Sequence, residues 1–316
     1  MNIRKCDLCP RKCGVNREKG ETGRCGGGNN VKIAWYGKHF GEEPVISGTA
    51  GPASAKASAR QGSGTIFFCH CNLKCVFCQN WQISWGGGSE ADEGCKGYEG
   101  GEVVRIMMEL QQQGAGNINL VSPTVWSYWL KDILIEAKKE GLTIPIIWNS
   151  NGYEEVGVLR ELKGLIDIYL PDYKYDDEEL AIKYSSALNY PIVARKAILE
   201  MQRQAGDLVL DNNRLAKKGL IVRHLILPGQ MKNTIKCLKF IRSISPDIHL
   251  SLMSQYNPLY KAKDFPEINR TLTKEEYERV LRDVGDLGFS NGWIQEFGKA
   301  VKCFSPDFRK EKPFNH

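Results

Sequence analysis

The amino-acid sequence predicts an α/β protein, a partial (β/α)6 TIM-like barrel carrying an N-terminal cysteine-rich metal-binding extension. Three observations predict it. From residue 65 onward, short runs rich in β-branched residues alternate with helical patterns. The six runs are fewer than the eight strands of a closed barrel, so an open one is expected. Before residue 40 there is little periodicity, but there are four cysteines among many Gly, Lys and Arg.

The extension, residues 1–40, holds Cys6, Cys9, Cys13 and Cys25 at C-x2-C-x3-C-x11-C. It has too few apolar residues to fold on packing alone, so a metal is expected to fold it. Structural zinc and a second iron–sulfur cluster both suit that spacing. Residues 41–64, GEEPVISGTAGPASAKASARQGSG, read as a Gly/Ala/Ser-rich loop or linker. Residues 65–300 are the barrel and 301–316 a tail.

Within the barrel the strands are expected at 65–68, 117–121, 144–148, 166–170, 220–227 and 248–253. Trp126, Trp129, Leu130, Ile133, Leu134 and Ala137 follow helical spacing. Thr273 and Glu276 make a capping box ahead of an apolar stripe on Tyr277, Val280, Leu281, Val284 and Leu287. Residues 207–219 read as an additional hairpin turning at Asp211-Asn212-Asn213.

Composition sets the surroundings. The chain of 316 residues is 42% hydrophobic and 25% charged, with a net charge of +6 spread along its length. No block of like charges signals nucleic acid, and no apolar window approaches the about 18 residues of a membrane span. The first residues lack the apolar core of a signal peptide, so a cytoplasmic location is expected. In a reducing compartment disulfides are disfavoured, and clustered cysteines read as metal ligands or reactive thiols. Of eleven cysteines, eight fall in two clusters; Cys95, Cys237 and Cys303 stand alone. Cys237, in a helical pattern, reads as a small buried hydrophobe.

The second cluster is IFFCHCNLKCVFCQNW, residues 66–81. Cys71, Cys75 and Cys78 stand at C-x3-C-x2-C. Three thiolates leave one iron of a [4Fe–4S] cluster without a protein ligand, open to chelation. The alternative is zinc with Cys69 as fourth ligand, but one loop would then carry all four donors, where structural zinc sites use separated arms. Cys69 is therefore expected outside the ligand set, as a strand-end residue against the barrel wall or a spare thiol.

With Phe77 before the third cysteine and Gln79-Asn80 after it, this stretch resembles the cluster loop of radical S-adenosylmethionine (SAM) enzymes. The segments CDLCPRKCGVNR, GEEPVISGT, NINLVSPT, IIWNSNGY, YLPDYKY, VRHLILPG, SLMSQYNP and FPEINRTLTKEEYE extend the resemblance to homologues of the pyruvate formate-lyase activating enzyme. Relatives usually carry a small residue and a glycine where Cys69 and His70 stand, and residues 50–62 look like an insertion.

The resemblance implies that SAM chelates the open iron, and that reductive cleavage yields a 5′-deoxyadenosyl radical that abstracts hydrogen. It implies a protein or peptide substrate, as for activators that install a glycyl radical, and an electron donor such as flavodoxin or ferredoxin. Phe77, Asn80, Ser122, Thr124, Asn149, Asn151, Asp172, Lys174, Arg223 and Gln255 are the candidate cofactor contacts, because ligands of such barrels sit beyond the C-terminal strand ends. The family's Gly-Gly-Glu stretch is replaced here by Ser122-Pro123-Thr124. Arg223, inside an apolar strand, needs a carboxylate partner from SAM or from another strand. A small-molecule substrate, a non-catalytic electron-transfer protein and a zinc-stabilised RNA-binding module are the competing readings.

Overall fold

The computed structural model describes residues 1–48, 61–85, 94–298 and 306–314. The proposed insertion falls largely on residues 49–60, and Cys303 on 299–305, outside the described residues. The chain runs β1 (Val31–His39), α1 (Pro44–Ser47), β2 (Ser63–Phe68), α2 (Trp81–Ser84), β3 (Lys96–Tyr98), α3 (Gly100–Gln112), β4 (Ile118–Val121) and α4 (Ser127–Lys139). It continues through β5 (Ile146–Ser150), α5 (Val156–Glu161), β6 (Ile168–Pro171), α6 (Glu178–Ser185), α7 (Tyr190–Ala205) and β7 (Val209–Leu210). β8 (Ala216–Leu225), α8 (Met231–Ile244), β9 (His249–Met253), α9 (Lys274–Asp286) and β10 (Asn291–Ile294) complete it.

One sheet orders these strands β10-β9-β8-β6-β5-β4-β2-β1-β3, with β7 paired to β8. Neighbours from β2 through β10 along this path are parallel, while β1 is antiparallel to both β2 and β3. The result is an open α/β partial barrel. All six expected strands are present, with ends shifted by a few residues. The capping box of α9 forms, Thr273 Oγ1 accepting from Glu276 N at 3.2 Å, and Val280 and Val284 are its buried face. Asp211 Oδ1 accepts from Asn213 N and Leu215 N, which closes the expected hairpin. Cys237 is fully buried in α8.

Three strands escaped the sequence reading. β1 lies in the cysteine-rich segment, yet Val31 and Ile33 are buried and it pairs along β2. β3 is only three residues long, and β10 is an edge strand of alternating exposure without a continuous apolar run. Missing β1 and β3 had a consequence, because they decide the fate of Cys69. Ile33 of β1 pairs with Phe68 on one side and Lys96 on the other. Cys69 follows Phe68 and Cys95 precedes Lys96, so pairing on the two sides of Ile33 brings the two cysteines close together. Their Cα atoms are 6.1 Å apart and they form a disulfide. This corrects the expectation of a spare Cys69, a solitary Cys95 and no disulfide.

His224 of β8 is buried, with Nδ1 at 2.7 Å from Tyr173 O and Nε2 at 3.1 Å from Thr234 Oγ1. Burial pushes its ring down to about 4. An unfolded chain's histidine titrates near about 6.5, so between those values the unfolded state binds the extra proton. Stability is thus complete above about pH 6.5 and falls as pH drops toward 4, by about 3 kcal/mol. Denaturant midpoints measured across that window should show the decline, and His224→Gln should flatten it; an identical slope in the variant would exclude His224 as its source.

Candidate active site

β2 delivers the cysteine loop. His70 turns the chain at φ +70, a left-handed conformation that suits glycine, and this accounts for the glycine usual in relatives. The loop is then clamped by backbone hydrogen bonds: Lys74 N to Ser185 O at 3.1 Å, Val76 N to Tyr184 O at 2.8 Å and Lys261 N to Val76 O at 2.9 Å. Cys71, Cys75 and Cys78 line one cavity of about 250 Å³ at the C-terminal ends of the parallel strands.

Each sulfur has a polar neighbour. Cys71 Sγ accepts from Asn151 Nδ2 at 3.3 Å and Leu73 N at 3.4 Å. Cys75 Sγ accepts from Ser185 Oγ at 3.0 Å, and Cys78 Sγ lies 3.8 Å from Ser84 Oγ. Burial, followed by the neighbouring Cys75 and Cys71, pushes the Cys78 thiol up to about 12. Burial raises Cys71 and Cys75 as well. Three thiols so placed stay protonated until a cation stabilises their thiolates, which is what a cationic iron cluster supplies. As the bare chain stands, no group of three His, Cys, Asp or Glu among the described residues is arranged to hold a metal ion. The fit to iron rests on the donors' chemistry and their shared cavity.

Nine of the ten candidate cofactor contacts line this cavity: Phe77, Asn80, Ser122, Asn149, Asn151, Asp172, Lys174, Arg223 and Gln255. Thr124 does not. Its Oγ1 donates to Glu154 Oε1 at 2.6 Å, and burial keeps that carboxyl above the usual range. Ser122 adopts φ +59 at the end of β4 and its N–H donates to Asn149 O at 2.9 Å.

Gly152 follows Asn151 at φ +75, where an added Cβ would sit 2.4 Å from Asp172 O. Gly152→Ala is therefore expected to destabilise the protein by about 2–4 kcal/mol and to displace Asp172. A thermal midpoint equal to wild type would contradict this.

The cavity's charges are paired within the chain. Lys174 Nζ donates to Asp172 Oδ2 at 2.6 Å. Burial alone would depress Lys174, but Asp172 more than offsets it and holds the ammonium above its usual range. Arg223 Nε and Nη2 each donate to Glu43 at 2.6 Å, and Nη2 also reaches Glu42. Ser251 Oγ donates to Glu43 at 2.7 Å. Burial opposes the charge on Glu43, yet Arg223 keeps its carboxyl below the usual range. The partner expected of Arg223 thus comes from the loop segment 41–64 and not from another strand.

Sequence reasoning missed Glu42 and Glu43, although two adjacent carboxylates in a segment otherwise rich in Gly and apolar residues were a signal. It also missed the tail: Pro306 and Phe314 line the cavity, and the Phe314 ring lies 4.4 Å from that of His39. Such long-range closure leaves no local pattern.

The N-terminal cysteines sit beside this site. Cys6 and Cys9 are buried, Cys25 is half-buried and Cys13 is exposed. The turn is set by Cys6 N to Val15 O at 2.9 Å and Lys12 N to Cys9 O at 3.0 Å. Burial, followed by weaker repulsion from Cys25, Cys6 and Cys13, pushes the Cys9 thiol up to about 12.

Among the described residues no helix is long and apolar enough to cross a membrane. The family described as the radical SAM superfamily matches residues 65–241, and it implies a [4Fe–4S] cluster and SAM. The chain is 34% identical over 285 residues to the uncharacterized protein MJ0674 of Methanocaldococcus jannaschii, covering 88% of this chain and 74% of that one. It is 27% identical to MJ0808 of the same organism over 86% of this chain and 78% of the relative. Among solved structures, SuiB of Streptococcus suis bound to SAM is similar with a TM-score of 0.49 at 14% identity, over 72% of this chain and 48% of SuiB. The chain thus spans about half the length of SuiB. A domain of a pyruvate-formate lyase-activating enzyme from Bacteroides vulgatus matches with a TM-score of 0.42 at 15% identity, over 58% of this chain and all of that domain. With a family match over more than half its length and a relative a third identical along most of it, this protein belongs to the radical SAM superfamily.

Proposed function

We propose that the protein is a radical SAM enzyme of the activating type, which abstracts hydrogen from a protein or peptide. The observation that carries the reading is the convergence of three half-buried thiols, without a fourth ligand in their loop, on a cavity fed by every parallel strand from β2 to β10. When bound, the reduced cluster and SAM supply a 5′-deoxyadenosyl radical, and the chain's task is to hold, orient and shield.

Cys71, Cys75 and Cys78 ligate the cluster, and Asn151, Leu73 and Ser185 tune it through bonds to sulfur. Lys174 offers an ammonium to the SAM carboxylate while Asp172 fixes its position. Gln255, held by Gln295 Nε2 at 2.7 Å, and Asn149 offer amide contacts. Phe77 supplies an apolar face to the same cavity.

A peptide substrate is favoured by an aromatic shelf beside the loop. Trp81 stacks on Tyr260 with centroids 5.1 Å apart, and Lys261 lies 4.6 Å above Trp85. A small molecule is the second reading, favoured by the tail that covers the cavity, where Phe308 N donates to Gln82 Oε1 at 2.9 Å. We place the protein in the cytoplasm, where its two thiol clusters keep their metal-binding form, the Cys69–Cys95 disulfide being the exception among the described cysteines.

The test uses the host's own extract, grown in deuterated medium and divided by size into macromolecules and small solutes. Reduced protein with SAM should yield deuterium-labelled 5′-deoxyadenosine with the macromolecular fraction. Label arising only from the small solutes would replace the peptide reading with the second one.

A further inference from the structure

We propose that Tyr175 and Ser185 form a hydrogen-bond relay onto Cys75 Sγ that raises the reduction potential of the cluster on Cys71, Cys75 and Cys78. Tyr175 is a positioning residue in this scheme and acts only through Ser185. Resting on the radical SAM reading above, the relay adds what makes that cluster easier to reduce.

The relay consists of two bonds. Ser185 Oγ donates to Cys75 Sγ at 3.0 Å, and the Tyr175 hydroxyl lies 2.8 Å from the same Ser185 Oγ. A serine hydroxyl has one proton, and here the sulfur takes it, so Tyr175 is the donor of the second bond. Burial holds the Tyr175 phenol well above its ordinary range, so that proton is always present. Both side chains are fully buried. In such surroundings each bond of a chain polarises the next, and the bond at sulfur is strengthened by the phenol behind it.

Both ends of the relay are built into the fold. Ser185 closes α6, and the last turn of that helix grips the cluster loop on either side of Cys75. Lys74 N donates to Ser185 O, and Val76 N donates to Tyr184 O. Tyr175 lies past the end of β6, and its two chain neighbours are tied down. Lys174 N donates to the Tyr190 hydroxyl at 3.0 Å, and Asn233 Nδ2 donates to Lys174 O at 3.1 Å. Asp176 N donates to Asn233 Oδ1 at 2.9 Å. The Tyr175 ring stands edge-on to Tyr190, with centroids 5.5 Å apart. One short segment thus presents Lys174 to the cavity and Tyr175 to the back of a ligand sulfur.

The other two sulfurs are served differently. The nearest donor to Cys71 Sγ is the Asn151 amide at 3.3 Å, and Cys78 Sγ lies 3.8 Å from Ser84 Oγ. Cys75 has the shortest bond of the three and a second hydroxyl in line behind it. Reduction takes one electron from a one-electron donor protein and adds it to the cluster; no atom or proton moves. The added negative charge reaches the sulfurs, where a hydrogen-bond donor stabilises it and raises the potential.

Redox titration of the reconstituted full chain, read by EPR with the iron content of each variant measured, tests the relay. Ser185→Ala should shift the reduction equilibrium about tenfold toward the oxidised cluster, a fall of about 59 mV for one electron. Tyr175→Phe, which keeps its ring in the core, should shift it about threefold in the same direction. Added to Ser185→Ala, Tyr175→Phe should shift it no further, since its route to the sulfur is already gone. A wild-type potential in Tyr175→Phe would overturn the relay, and this holds even where Ser185→Ala does not fold. An equal shift by Tyr175→Phe with and without Ser185 would also overturn it. In either case a wild-type chain with about four irons leaves the radical SAM reading standing; a wild-type chain that binds no iron would overturn both.

Discussion

Cys71→Ala, Cys75→Ala and Cys78→Ala are each expected to leave the protein without its catalytic cluster. Reconstituted anaerobically, each variant should lack about four irons relative to wild type and release no 5′-deoxyadenosine above background. The three sulfurs share one cavity, and burial makes each a poor thiolate unless iron is present. Two of them cannot hold a cubane that already leaves one iron free for SAM.

Cys69→Ala is the contrasting control and should keep its iron. Cys69 packs with Phe67, Ile83, Val121 and Phe308 and is bonded to Cys95, so it has no free thiol to offer. Iron loss in that variant would show that Cys69 belongs to the ligand set after all.

Arg223→Met is expected to cost about 3–5 kcal/mol, the second largest effect. It leaves the buried Glu43 and the half-buried Glu42 facing each other without the cation they share. The pairing itself need not stabilise the fold relative to an apolar core, since burying three charges is expensive. Breaking it from one side is what costs. Adding Glu42→Gln and Glu43→Gln to Arg223→Met should therefore recover much of the loss, which urea midpoints of the single and triple variants would measure. If Arg223→Met unfolds at the wild-type midpoint, the triad carries no such role. Arg223→Lys is not a safe replacement, because an ammonium cannot match the two-nitrogen grip on Glu43.

The parallel strands β2, β4, β5, β6, β8 and β9 were legible because each is a short apolar run bounded by polar turns, whereas the parallel edge strand β10 has no such run. The cluster loop was legible because iron ligation imposes a spacing that no packing requirement does. Most of the cavity's contacts followed from one rule, that ligands sit past the C-terminal strand ends. Thr124 broke that rule because Pro123 starts a tight 3-10 turn and sends its hydroxyl back to Glu154.

What stayed hidden depends on pairing between distant segments. β1 was masked by the composition of the cysteine-rich segment, and without it the meeting of Cys69 and Cys95 could not be foreseen. Glu42 and Glu43 read as loop residues until β8 placed Arg223 opposite them. The two cysteine clusters were recognised separately; Arg11, donating to Asn72 O, and the anchor at Arg17 bring the two segments side by side.

The central claim is that the cluster on Cys71, Cys75 and Cys78 has an open iron that binds SAM. EPR of the reduced full chain with and without SAM tests it most directly. A spectrum that shifts when SAM is added, accompanied by release of 5′-deoxyadenosine, is the expected result. A reduced cluster whose spectrum SAM leaves unchanged, with no 5′-deoxyadenosine released, would contradict it.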